Sequence, residues 1–140
     1  MLQITSKENQ LIKHIIKLKE KKYRKEYNEY IIEGVKIVEE AIEESAKIKQ
    51  IIISEDAINS ELVQKHLKEK LQKIDYIQVT SNIFKLISDV EKPQGVLAII
   101  EKERQEKIEI NQDIIVVLDD VQDPGNLGTI IRTADSVGLN

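Results

Sequence analysis

The side chains best suited to chemistry stand together near the end of the chain: Asp119, Asp120, Asp123, Asn126 and Arg132, within the stretch from Val116 to Ala134. A guanidinium keeps its proton above about pH 12 and is a poor base at neutral pH, whereas its planar fork suits two-point contact with a phosphate. Arg132 is therefore read as a positioning group. Asn126 is a good helix N-cap, and Asp119, Asp123 and Gly128 shape the loop and turn around it. A second candidate set is the basic run from Lys13 to Lys25, which holds Lys13, Lys17, Lys19, Lys21, Lys22, Arg24 and Lys25 with Glu20 as its only acid. Such a run docks a polyanion or forms an ordinary solvated helix face.

Other chemistries are poorly supplied. The chain has no cysteine, which excludes disulfides, thiolate zinc sites and a cysteine nucleophile. Its two histidines, His14 and His66, leave little for a metal, and no metal is expected. Both are read as surface or boundary residues. The net charge of -4 argues against nucleic acid only on average, because the basic run is segregated from the glutamate-rich stretch 26–44 that follows it. No apolar run reaches the roughly 18 residues needed to span a bilayer, and the first five residues lack the features of a secretory signal. A cytoplasmic protein with no membrane partner is expected.

The elements that must position these groups follow from periodicity. Ile114 to Val117 is an apolar β-branched run that predicts a strand, and the Asp123-Pro124-Gly125-Asn126 turn leads into a helix over 126–137. On that helix Leu127, Ile130, Ile131, Ala134 and Val137 share one face and Arg132 lies opposite. Upstream, Thr5 and Glu8 have the form of a capping box for a helix over 6–21, whose end and following turn carry the basic run. Strands are predicted at 30–32, 48–53, 76–79 and 96–100, with helices over 35–45 and 60–71 and a short one through Ile83, Phe84 and Ile87 that Ser81 can cap. This alternation predicts an α/β sandwich at 1–101, a charged linker at 102–112, and a strand-loop-helix unit at 113–140. A lone strand and helix cannot bury their own apolar stripe, so that last unit is expected to be the opening of a larger domain, and the chain a fragment of a longer protein.

Asp119, Asp123-Pro124, Asn126-Leu127-Gly128, Ile131-Arg132-Thr133-Ala134 and Gly138 resemble the first motif of the SpoU (TrmH-like, SPOUT superfamily) RNA 2′-O-ribose methyltransferases. Ser6-Lys7-Glu8-Asn9-Gln10, Lys22-Tyr23-Arg24, Ile31-Ile32-Glu33-Gly34 and Lys92-Pro93-Gln94-Gly95-Val96-Leu97-Ala98 resemble, in order, landmarks of that family's accessory substrate-binding domain. The resemblance implies a sandwich like certain ribosomal RNA-binding proteins, followed by the start of a knotted α/β domain. It further implies that S-adenosylmethionine is the methyl donor and RNA the partner, ribosomal RNA favoured over transfer RNA, with a homodimer in the complete protein.

The resemblance implies that Arg132, matching the motif-one arginine, engages the target nucleotide and assists loss of the 2′-proton, of which positioning of the phosphate or ribose is placed first because a guanidinium is a poor base. Asn126 caps the helix, orients Arg132 or touches the nucleotide. Cofactor-binding residues are expected beyond Asn140, so the fragment is expected to be inactive alone. Lys17, Lys21, Lys22, Arg24 and Lys25 become candidate RNA-binding residues. Arg24, between Tyr23 and Tyr27, can combine phosphate contact with base stacking; equally, the tyrosines can pack under the loop. Two rival readings are an RNA-binding module without catalysis, which accounts for residues 1–100 but not for the last unit, and a nucleotide-binding domain. The second is weak, since the glycine signatures of such domains are missing.

Overall fold

The computed structural model describes residues 2–103 and 114–139. The chain falls into two compact units, residues 1–104 and 105–140. In the first, five strands form one mixed sheet: β1 (Leu2–Ile4), β2 (Glu29–Glu33), β3 (Ile48–Ser54), β4 (Tyr76–Val79) and β5 (Val96–Glu101), in the order β1-β4-β3-β5-β2. β1, β4 and β3 run parallel, and β5 is antiparallel to both β3 and β2. The central strands are apolar on both sides because both faces of the sheet are covered. Alternate residues therefore enter two cores. Ile52, Leu97 and Ile99 join Ile12, Ile15 and Leu18 of α1 (Gln10–Leu18) and Ile83, Phe84 and Ile87 of α6 (Ser81–Ile87). Ile51, Ile53, Val96 and Ala98 join Val35 and Val38 of α3 (Val35–Glu43), Val63 of α4 (Glu61–His66) and Leu67, which precedes α5 (Lys68–Leu71). The expected α/β sandwich is thus a three-layer one.

Several local expectations differ from what is observed. β1 is an additional strand: three residues at a sheet edge carry no period to recognise, and only pairing with β4 defines them. α1 begins at Gln10 because Asn9 accepts the Leu11 N–H at 2.9 Å, while Glu8 pairs with Lys13 at 2.6 Å, so the Thr5–Glu8 capping box does not form. The basic run does not end in a turn. It continues as a separate helix, α2 (Lys21–Tyr27), after an extended Glu20. The single helix expected over 60–71 is divided at Leu67, whose side chain is fully buried. Thr80, not Ser81, caps α6.

The two landmark turns explain each other. Gly34 precedes α3 with φ of 125° and has no side chain to cap it, so the side-chain Oε1 of Gln94 accepts the Val35 N–H at 2.8 Å from the loop before β5. Among the described residues Glu33 binds neither a cation nor the α3 amides. It accepts from the Ser88 hydroxyl at 2.5 Å and the Asp89 N–H at 3.2 Å, tying β2 to the end of α6.

In the second unit, residues 114–118 form no strand, because a strand exists only through pairing and no described residue pairs with them. Their apolar side chains are exposed. α7 (Pro124–Ser136) starts two residues earlier than expected. Asp123 is its N-cap, accepting the Asn126 N–H at 2.7 Å, with Pro124 in the first turn, where a missing N–H costs nothing. The cap assigned to Asn126 is therefore corrected to Asp123. Most of the expected linker, from residue 104 on, lies outside the described residues. Lys102 still belongs to the first unit, its N–H donating to the Asn28 carbonyl at 2.8 Å.

Candidate nucleic-acid interface

The basic run folds into a corner between α1 and α2. Lys17, Lys21, Lys22 and Lys25 are exposed there, and none forms a salt bridge with another described residue. Arg24 is placed differently. Its Nη1 donates to the carbonyls of Leu18 (3.0 Å) and Lys19, satisfying the free end of α1, so this side chain sets the corner's angle. Lys19 is also engaged, donating to the Leu86 and Ser88 carbonyls and pairing with Asp89 at 2.9 Å.

Tyr23 and Tyr27 lie one turn apart on α2 with ring centroids 6.1 Å apart and planes within 14°. The ammonium groups of Lys17 and Lys22 sit over the Tyr23 ring at 5.5 and 5.4 Å from its centroid, within cation–π range. Tyr27 packs against the core, and the His14 ring meets it edge-on at 4.8 Å. The two tyrosines thus divide between the alternatives left open: Tyr27 packs inward and Tyr23 belongs to neither core.

Beneath this corner Glu29 is buried, 5% exposed, and its carboxylate is shared by His14 Nε2 at 2.5 Å and Lys49 Nζ at 2.6 Å. Burial alone would push this carboxyl up, but hydrogen bonds from Lys49 and His14, with the charges of both, outweigh it and hold Glu29 below its ordinary value. The same hydrogen bond raises Lys49. A carboxyl with a depressed folded pKa stabilises fully above its ordinary value of 4.5, and that contribution is lost as pH falls through the folded value. Urea unfolding should therefore show Glu29→Gln about 2 kcal/mol less stable at neutral pH, with the difference shrinking as the buffer is acidified below the usual carboxylate range. A gap that stays constant down to acid pH would refute the assignment.

A second triad lies on the other face of the sheet. Glu39 accepts from His66 Nδ1 at 2.6 Å and from Lys70 Nζ at 2.9 Å, and these hydrogen bonds hold it below the ordinary carboxylate value. Sequence reasoning missed both triads, because each carboxylate lies 15 to 31 residues from the side chains it joins and no local period links it to them. His14 and His66 are boundary residues as expected, each with a specific carboxylate partner.

In the second unit α7 presents Arg132 to solvent. Its only hydrogen bond among the described residues is a long one, 3.4 Å, from Nη2 to Thr129 Oγ1. The Asn126 side chain is exposed, and no hydrogen bond joins it to Arg132. The structure thus places both at the surface without bringing them together. None of the residues 114–139 is buried, so these described residues alone do not enclose a site for S-adenosylmethionine. No helix among the described residues is long and apolar enough to cross a membrane.

Fold and corner together define a three-layer α/β domain with a basic, tyrosine-bearing edge, joined to a motif helix. Residues 9–98 match the MRM3-like substrate binding domain, and the chain belongs to that family. It is 36% identical over 140 residues to the 23S rRNA (guanosine(2553)-2′-O)-methyltransferase RlmP of Bacillus subtilis, covering all of this chain and 53% of that protein. A solved RNA 2′-O ribose methyltransferase superposes with a TM-score of 0.76 at 26% identity, over 98% of this chain and 53% of its own. An AdoMet-bound rRNA methyltransferase from Sinorhizobium meliloti does so with a TM-score of 0.67 at 28% identity, over 97% of this chain and 51% of its own. The chain thus spans about half the length of each of these proteins.

Proposed function

We propose that this chain supplies the RNA-binding domain and the opening catalytic segment of an S-adenosylmethionine-dependent RNA 2′-O-ribose methyltransferase acting on ribosomal RNA. The observation that carries this reading is that likeness to the Bacillus enzyme runs through the whole chain, motif helix included, rather than ending with β5. The proposed division is an RNA-binding domain at 1–101, a linker at 102–112, and the start of the catalytic domain from 113. S-adenosylmethionine, when bound, supplies the methyl group, and its site is expected in residues beyond Asn140.

What this chain's own residues do is bind and orient. Lys17, Lys21, Lys22 and Lys25 offer a positive edge to the phosphate backbone, and Arg24 holds the corner that displays them. Arg132 sits on a helix fixed at its start by Asp123 and Pro124. Its fork is held only by the long contact to Thr129 among the described residues, which leaves it to engage a phosphate or ribose of the target nucleotide. Asn126, at the same helix start, borders that site. A homodimer of the complete protein and a cytoplasmic location belong to the same reading.

An RNA-binding module without catalysis is the second reading, favoured by the match of residues 9–98 to a substrate-binding domain alone. Transfer of a labelled methyl group from S-adenosylmethionine to unmodified ribosomal and transfer RNA separates the two. Labelling of ribosomal RNA by the complete gene product, and none by this chain, is expected. If neither labels RNA while the chain still binds it, the module is the better reading.

A further inference from the structure

We infer that the Tyr23 ring is a stacking platform for one unpaired RNA base, with Lys17 and Lys22 as the cations that take the phosphates flanking it; this rests on the RNA-binding reading above. Tyr23 is half-buried yet belongs to neither core cluster, so folding alone does not explain an aromatic ring at this position. It is nevertheless held firmly. The ring stacks along Tyr27, which packs on the core and is met edge-on by His14, itself fixed by the buried Glu29. A flat π surface backed by this chain of contacts is preorganised, so a base that stacks on it orders little else.

What covers the ring now is replaceable. Lys17 and Lys22 are exposed, and an exposed cation–π contact is weaker than a base–aromatic stack. An incoming base displaces the two ammonium groups sideways, where its own phosphates are the nearest anions. Paired bases present no free face, so the platform selects single-stranded or bulged RNA over a continuous duplex. Arg24 stands beside the platform but is spent on the α1 carbonyls, so the stacking partner is the tyrosine and the cations are the two lysines.

The test uses the 140-residue chain with a short single-stranded RNA carrying one fluorescent adenine analogue, and the same strand annealed to its complement. Tighter binding of the single strand, with quenching of the analogue, is expected. Tyr23→Ala and Tyr23→Leu should each weaken that binding about tenfold and abolish the quenching, while Tyr23→Phe keeps both. Leucine preserves bulk against Tyr27 but has no π face, so a loss shared by alanine and leucine and absent in phenylalanine is loss of stacking rather than of folding. Lys17→Ala with Lys22→Ala should lower the dependence of log affinity on log salt by roughly 1.4. A Tyr23→Leu chain that binds and quenches as the unaltered chain does overturns the platform and leaves RNA binding intact. An unaltered chain that binds neither strand overturns both readings.

Discussion

Arg132→Ala in the complete protein is expected to slow methyl transfer to ribosomal RNA about a hundredfold while changing stability by less than about 0.5 kcal/mol. The two halves of this expectation have separate causes. Arg132 is exposed and makes only the long contact to Thr129 among the described residues, so its removal takes little from the fold. α7 is held instead by Asp123 at its cap, by Pro124, and by the hydroxyls of Thr129 and Thr133, which donate to the carbonyls of Gly125 and Thr129. The loss of rate comes from the lost two-point hold on the nucleotide, since misplacing a reacting group by about 1 Å costs on this order. Lysine restores the charge without the fork, so Arg132→Lys should recover only part of the rate. A fall in kcat marks positioning of the ribose, and a rise in KM alone marks phosphate docking. Turnover equal to that of the unaltered enzyme would remove Arg132 from the site.

Gly95→Ala should destabilise the first unit by about 3 kcal/mol, read as a lower urea midpoint with an unchanged slope. Gly95 has φ of 77°, a region that a side chain enters only at a cost, and a Cβ there would stand 2.3 Å from the Cβ of Ala57. Neither side can yield easily. Ala57 lies in the core beside Val96, and the Gly95 carbonyl accepts the Ser54 N–H at 2.8 Å, so moving the backbone would break the junction of β3 and β5. The strain also reaches the neighbouring Gln94, whose side chain supplies the missing cap of α3. Retention of the midpoint would mean that this loop relaxes and that its glycine serves some purpose other than close packing.

The landmark residues acquire physical meaning from these contacts. Glu33, Gly34, Gln94 and Gly95 are recognisable in sequence as a set. In the fold they form two facing turns in which a glycine leaves a helix start uncapped and a glutamine from a distant loop caps it. The basic run is likewise visible as composition, but composition treats its members as equal. Tertiary contacts separate them: Arg24 and Lys19 are tied to carbonyl oxygens, and Lys17 and Lys22 lie over a tyrosine.

Local pattern was sufficient for the apolar strands at 48–53, 76–79 and 96–100, for the helical faces of α1, α3 and α6, and for the α/β class, since a 2-fold or 3.6-fold period records which face is buried. It also supplied Arg132 and the basic corner as the places proposed for an anionic partner, because charge and side-chain geometry are properties of residue type. The Asp123 cap is a local contact, three residues from Asn126, but three features needed the folded chain: the pairing that makes β1 a strand, the break at Leu67, and the Glu29 and Glu39 triads. Each depends on groups that meet only after the backbone has closed over many residues. Such meetings follow from the competition of every donor and acceptor for a partner in three dimensions, which a linear period does not encode.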